Sequence, residues 1–321
     1  DLSDRAIDLI GDIHGHVGPL TRLLDALGYE LLGDVYRHPR GRKVLFLGDL
    51  IDRGPDNVVV VRIVRKMVES GEAVCLMGNH ELNAIHFATE HPTIAGRHLR
   101  PRSDKNLRQH LATLSQYHAL DDGGDQLADD LEWFKTLPLW IDLPEFRAVH
   151  ACWSESHIRT LSGHLAENDS SQDFWHATAE RDHTLNDAIE VVLKGAEVAL
   201  PTGIMFSDKD GHVRSEARLA WWVNDGPWPD RVLGPPNLKS QLAAVEGSPA
   251  TDITYGPDEK PIFFGHYWFQ QRNGQPWIAR EPNIACLDFS VAKPGGLLTA
   301  YRWDGETALS ANKLIAVPAI Q

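Results

Sequence analysis

Lys43-Val-Leu-Phe-Leu-Gly-Asp-Leu-Ile-Asp-Arg-Gly54 couples a short apolar run to a turn dense in polar side chains. Pro55 and Asp56 then offer a helix start before Val60, Val61, Val64, Met67 and Val68, which fall on one helical face. The same grammar occurs on either side. Ala6-Ile-Asp-Leu-Ile10 leads into Gly11-Asp-Ile-His-Gly15 and a stretch with Val17, Leu20, Leu24 and Leu27 at helical spacing. Ala73-Val-Cys-Leu-Met77 leads into Gly78-Asn-His-Glu81 and another helical stretch. Strands apolar on both faces and alternating with helices predict parallel βαβ units. Each polar motif falls at a strand's C-terminal end, where open α/β sheets bind ligands.

Farther along, 104–137 reads as helical and polar, and Arg147-Ala-Val-His150 as a short strand. Thr184 to Asp187 reads as a capping box with Asp in place of Glu, opening a helix with Leu185, Ile189, Val192 and Leu193 on one side. Residues 225–261 are rich in Pro, Gly and Asp and are expected to form loops around one short helix. Strand-like runs return at Pro261-Ile-Phe-Phe264, 284–289, 297–303 and 314–317. An α/β first half beside a β-rich second half predicts two packed sheets.

The 321 residues can bury a large core, and 42% hydrophobic with 24% charged residues is an ordinary globular composition. A formal net charge of −14 argues against a broad nucleic-acid groove or a membrane-surface stripe. It leaves room for an anionic substrate at a local cationic site, because salt screens distant charges over about 10 Å. No apolar stretch reaches membrane-span length. Cys75, Cys152 and Cys286 are sparse and odd in number, so buried thiols in a reducing compartment fit better than disulfides. No signal-like segment opens the stretch from Asp1, and a cytoplasmic location is expected.

Carboxylate, imidazole and amide oxygen are ligands for divalent first-row metals, and the strand-end motifs offer all three. Asp12 and His14 are two apart, so both can point into one site. Asp49 follows the next strand and can bridge two ions; Asn79 follows the third and offers a neutral carbonyl oxygen. His150 and His266 close two further strand-like runs. Paired ions about 3.5–4 Å apart can generate a hydroxide nucleophile and clamp an in-line phosphoryl displacement. Arg53 has the fork that binds phosphate oxygens, His80 can protonate a leaving oxygen, and Asp52 can orient that imidazole.

A lone Gly-Asp-x-His-Gly is weak evidence, since Asp and Gly populate ordinary turns. Gly11-Asp-Ile-His-Gly, Gly48-Asp-Leu-Ile-Asp-Arg-Gly and Gly78-Asn-His-Glu in order are specific. Together they resemble the signature blocks of the phosphoprotein phosphatase family, within the calcineurin-like metallophosphoesterases, with a further likeness to symmetrical dinucleoside tetraphosphatases. The resemblance implies an α/β fold of four layers, α/β/β/α, with two mixed sheets flanked by helices. It implies one catalytic domain over 1–321, with insertions at about 85–145 and 155–260. It places Asp12, His14 and Asp49 on one metal and Asp49, Asn79, His150 and His266 on the other. The metals would be manganese, iron or zinc. His80 with Asp52 would be the acid pair, and Arg53 a phosphate ligand. Arg218 is the candidate for the second phosphate-binding arginine, with Arg214 the alternative. The run after His150, Ala151-Cys-Trp-Ser, departs from the family pattern, as does the C-terminal part.

The expected activity is hydrolysis of phosphomonoesters, on phosphoprotein Ser/Thr or Tyr or on small aryl and alkyl phosphates. A dinucleoside polyphosphate hydrolase is the alternative. A metal-dependent binding protein without catalysis is a third class, and it would need none of His80, Asp52 and Arg53. His16 reads as a supporting rather than a ligating histidine. His86, His91, His98, His110 and His118 are expected at the surface, and Cys152 as a space-filling thiol. Trp153, Tyr267 and Trp268 adjoin proposed ligands, where they could line the pocket mouth or seal the site from below. Asp208-Lys-Asp-Gly211 resembles the start of a calcium loop but lacks its later acids, so a hairpin turn is expected.

Overall fold

A computed structural model describes residues 6–168, 172–207, 211–279 and 281–319. Its first sheet is six-stranded. Strands β1 (Ile7–Ile10), β2 (Lys43–Phe46) and β3 (Ala73–Cys75) run parallel, as the three repeated units predict. The second sheet has four strands. In it β4 (Trp140–Asp142) pairs antiparallel with β5 (Arg147–Val149), while β6 (Ile262–Phe264) lies parallel to β5 and to β7 (Ile284–Cys286). The chain then returns to the first sheet with β8 (Asp288–Phe289), β9 (Leu297–Trp303) and β10 (Leu314–Pro318). Strand β9 pairs antiparallel with β1, β8 and β10. Both sheets are therefore mixed.

Period-two alternation decides what meets between them. Ile7, Leu9, Leu45, Tyr301 and Trp303 of the first sheet share one buried cluster with Phe146, Ala148, Phe263 and Ala285 of the second. The alternate residues Ile10, Val44 and Phe46 belong to the larger cluster with Leu20, Leu24, Val60 and Val64. Those four lie on the helices α1 (Val17–Leu27) and α2 (Asn57–Glu69). On the second sheet Phe264 turns away from Phe263 and packs against Trp221 at 4.9 Å between ring centroids. Phe263 is fully buried and meets Phe146 at 5.8 Å and Tyr301 at 5.1 Å, so it is a keystone of the layer between the sheets. Phe263→Ala is expected to destabilise the fold by about 3–5 kcal/mol, read as a lower denaturant midpoint with an unchanged slope.

After β3 come α3 (Asn79–Ala88), α4 (Asp104–His118) and α5 (Gly123–Lys135). After β5 come α6 (Glu155–Asn168), α7 (Gln172–Ala179) and α8 (Thr184–Lys194). A small antiparallel sheet of Glu197–Ala199, Glu216–Leu219 and Val232–Leu233 follows. No helix among the described residues is long and apolar enough to cross a membrane.

Several local expectations need correction. Helix α8 begins at Thr184, so the residue before it, His183, is the cap and its ring accepts from the Leu185 amide at 3.1 Å; no Thr184–Asp187 box forms. The stretch 225–261 holds two short helices, Trp228–Arg231 and Pro236–Leu242, instead of one. His86 and His110 are buried rather than superficial. His86 faces α7, with Nε2 at 3.1 Å from Thr178 Oγ1, because α3 is covered on nearly every side. Of the hairpin expected at 208–211, residues 208–210 lie outside the described residues; the flanking Phe206–Ser207 and Val213–Arg214 pair antiparallel.

Candidate metal centre

The loops after β1, β2, β3, β5 and β6 converge at one edge of the two sheets. The amides of Ile13 and His14 donate to the Asp49 carbonyl at 3.1 and 2.9 Å, and Gly15 N donates to Leu50 O at 2.7 Å. The first two motifs are thus laced into one ridge. Glu81 ties in the third: its carboxylate accepts from the amides of Asp49, Leu50 and Gly78 at 2.9, 2.8 and 2.9 Å. Burial raises the Glu81 pKa to about 7, with Asp49 adding to the rise. Its position three residues after Gly78 is the capping-box signal from which this tie was readable.

The convergence strains the backbone. His14, Asp49, Asp52, Arg53, His266 and Trp268 all have positive φ, between 46° and 71°. Such left-handed non-glycine residues cost about 1–3 kcal/mol each and cluster where function holds them. Glycines make room beside them. A Cβ on Gly265 would lie 2.1 Å from Asp12 Oδ1, and one on Gly78 would lie 2.3 Å from Asp49 Oδ1.

All six sequence-derived donors come together. His14 Nε2 is 3.7 Å and His150 Nε2 3.4 Å from opposite oxygens of Asp49. Asn79 Oδ1 is 3.2 Å from His150 Nε2 and accepts from His266 Nδ1 at 2.7 Å. Asp12 accepts from the His266 amide at 3.2 and 3.1 Å. Among the described residues two groups have the spacing to hold an ion, His14–Asp49–His80 and Asp49–His150–His266, and Asp49 is common to both. His80 belongs to the first by proximity, but its Nδ1 is engaged by Asp52.

The residues fit divalent ions on three counts. His14 Nδ1 donates to Ile51 O at 3.0 Å, which leaves Nε2 buried and without a hydrogen-bond partner. His150 Nδ1 likewise donates to Leu47 O at 2.7 Å and turns Nε2 inward. These outer bonds select the tautomer a metal needs. The charges agree. Burial, then Asp288 and Asp49, raises the Asp12 carboxyl; burial, then His80, lowers His14 to about 3, so its ring is neutral. Burial opposes ionisation of Asp49 as well, but His150 and His80 hold its carboxyl well below the ordinary value. Burial likewise lowers His150, yet Asp49 pulls it up to about 10. Buried carboxylates crowded enough to hold a proton on His150 call for a cation, which a divalent ion would supply in its place.

Beside the donors sits a second constellation. His80 Nδ1 donates to Asp52 Oδ2 at 2.6 Å, and its Nε2 lies 3.2 Å from Arg53 Nη2 and 3.9 Å from Asp49 Oδ2. Burial lowers the His80 pKa, but Asp49 and Asp52 outweigh it and raise it overall. Asp52 is fixed in turn through Oδ1, which accepts from His110 Nδ1 at 2.7 Å and Thr113 Oγ1 at 2.6 Å. Sequence reading placed His110 at the surface and missed this clamp, because only tertiary packing brings α4 over the Asp52 turn. Asp288 was missed too. Buried and beside Asp12, it accepts from the Trp268 amide at 2.7 Å; an acid inside the apolar run 284–289 was its available signal.

The arginines and aromatics sort themselves by contact. Arg53 lies over the Trp268 ring at 3.8 Å. Arg218 Nη1 donates to His266 Nε2 at 2.7 Å and Nη2 to Glu197 at 3.3 Å, while Arg214 lines the same cleft. His16 supports the first loop, with Nδ1 donating to the His14 carbonyl at 2.6 Å. Tyr267 is half-buried and packs on Trp222 at 4.7 Å, and Trp153 is buried and binds Glu155 under Arg147, so these two pack against the core rather than line the cleft. Cys152 is buried, and burial pushes its thiol up to about 12, which keeps it an inert filler.

The calcineurin-like phosphoesterase family model matches residues 6–267. The bis(5'-nucleosyl)-tetraphosphatase PrpE of Halalkalibacterium halodurans is 48% identical over 73 residues, covering 23% of this chain and 30% of the relative. That of Oceanobacillus iheyensis is 42% identical over 74 residues, with the same coverages of 23% and 30%. Each match thus spans under a third of the relative's own length, and both relatives are designated asymmetrical. A protein serine/threonine phosphatase from Saccharomyces cerevisiae superposes with a TM-score of 0.51 at 17% identity, covering 99% of this chain and 81% of that one. That likeness is one of fold. With the match across 6–267, the chain belongs to the calcineurin-like phosphoesterase family.

Proposed function

We propose that Asp12, His14, Asp49, Asn79, His150 and His266 hold two divalent ions with Asp49 between them, and that a phosphate ester is hydrolysed over this pair. When bound, such ions polarise the phosphate and supply an activated water. Manganese, iron and zinc all suit the mixed oxygen and imidazole donors. Both sheets supply donors, which supports reading the chain as one catalytic domain with inserted segments.

The observation that carries this reading is the Asp52–His80 pair beside the donors. Asp52 holds the ring by Nδ1 at 2.6 Å and favours its protonated form, so Nε2 can carry the proton that a departing oxygen needs. Arg53, braced by Trp268, and Arg218 at His266 are placed to take phosphate oxygens. A metal-binding protein without catalysis would have no use for a buried acid pair aimed at its own metal site.

Two substrate classes fit. A phosphomonoester on a protein or a small molecule needs Arg53 and Arg218 alone. A dinucleoside polyphosphate brings more charge, and the cleft favours it. The opening over His80 has a volume of about 1050 Å³ and is lined by seven basic side chains and one acidic one, Glu190. In a chain of net charge −14 that concentration supports a polyanion. The names of the partial relatives agree. Turnover of a phosphopeptide panel and of diadenosine tetraphosphate, side by side with Mn²⁺, is expected to favour the dinucleotide. A preference for the peptides returns the assignment to a monoesterase.

A further inference from the structure

Arg100 is a cation whose hydrogen bonds go to neutral groups. Its guanidinium donates to the side-chain oxygens of Asn83, Asn106 and Gln109, the last two at 3.2 and 2.8 Å. Among the described residues it forms no ion pair. It is half-buried, and burial lowers its pKa, opposed by the carboxylates of Asp52 and Glu190. A partly desolvated guanidinium held by amide oxygens, with its carboxylates too far for ion pairs, has charge left to offer an anion.

Its holders locate it. Asn83 is one turn beyond His80 on α3, while Asn106 and Gln109 stand on α4. A small recess is lined by Arg100 together with His80 and Asp52. His80 therefore has two neighbourhoods. Toward one side it lies among the donors His14 and Asp49. Toward the other it shares a wall with Arg100. Along that wall Lys105 and Arg108 project from α4, three residues apart and on the face that lines the cleft. Both are exposed and form no ion pair among the described residues. None of these three cations belongs to a motif block, and none is needed to hold the phosphate under attack.

We propose that Arg100, Lys105 and Arg108 form an anion subsite for the leaving group, so that the substrate is a phosphoanhydride whose departing part is itself a phosphate or phosphate chain. This rests on the reading of His80 as the acid. In the hydrolysis, water's oxygen bonds to the attacked phosphorus and the bridging P–O bond breaks, its electron pair remaining on the leaving phosphate. That oxygen takes the His80 proton, one hydrogen of the water stays with the new phosphate, and the other restores the proton on His80. A departing alcohol or phenol gives the three cations nothing to hold. A departing phosphate chain brings several charged oxygens to them.

The test compares inorganic tripolyphosphate, a nucleoside triphosphate and p-nitrophenyl phosphate, with Mn²⁺, in the wild type, in Arg100→Gln and in the double variant Lys105→Ala/Arg108→Ala. The ratio of kcat/KM on either anhydride to that on the aryl ester is expected to fall by about ten- to a hundredfold in each variant, the range for losing a charged hydrogen bond. Equal rates on the two anhydrides mean that the phosphate chain alone is recognised; a faster nucleotide means that the cleft also takes the base. Either supports the subsite. An unchanged ratio in the double variant, whose exposed positions leave the fold intact, overturns it. Should the wild type turn over none of the three, the phosphoesterase reading fails, and the subsite is judged separately by calorimetric titration of metal-free protein with tripolyphosphate. Binding weakened in the double variant supports it, and equal or absent binding sinks it.

Discussion

His80→Ala is expected to lower kcat by about 10²–10⁴-fold on substrates with poor leaving groups, the usual worth of a positioned general acid. On an aryl phosphate with an acidic phenol the loss should shrink, because that oxygen departs without a proton. The dependence on leaving-group pKa is therefore the decisive readout, more than the loss itself. Asp52→Asn should reproduce part of the effect with little change in KM. The amide oxygen can still accept from the ring's Nδ1, but the charge that favours the protonated form is lost. Equal losses across leaving groups in His80→Ala would remove the acid role and leave His80 as a ligand, as its membership of the His14–Asp49 group permits.

Asp49→Asn is expected to cost both metal and activity. Asp49 stands in both candidate donor groups, and its oxygens face His14 and His150 from opposite sides. Disturbing the outer partners of a ligand costs about 10–100-fold in affinity or activity, so removing the shared carboxylate should cost at least about a hundredfold. Metal content after dialysis, measured beside a circular-dichroism melt, separates this from unfolding. The variant should remain folded: losing one of several crowded carboxylates relieves repulsion with Asp12, whose carboxyl Asp49 helps to raise. Retention of two ions per chain with full turnover would defeat the shared-ligand assignment. Metal uptake by the wild type should also weaken as pH falls, since protons compete for His150 and for the Asp12 carboxyl, both raised in the folded chain.

Much of this was legible because parallel strands impose their own order. Apolar runs with polar strand ends allow few arrangements, and right-handed crossovers put successive strand ends on one edge. Asp12, His14, Asp49 and Asn79 are thus placed together by strand order alone. His150 and His266 followed for the same reason, since β5 and β6 are parallel as well. What could not be read were contacts between elements joined by irregular chain. His110 looked like a polar helical residue, yet α4 lays it on Asp52. Arg100 lay in a loop without pattern and became the wall of a cleft.

By itself the sequence determined the candidates for the centre: which atoms offer themselves to ions, which imidazole stands beside them as the proposed acid, and that two sheets had to meet. Those properties reside in residue type and spacing along single strands and turns. The tertiary structure decided how the acid pair is braced, which aromatic rings carry Arg53, and where a net-acidic chain gathers its cations. These depend on packing between segments distant along the chain, where burial and charge, rather than periodicity, set the outcome.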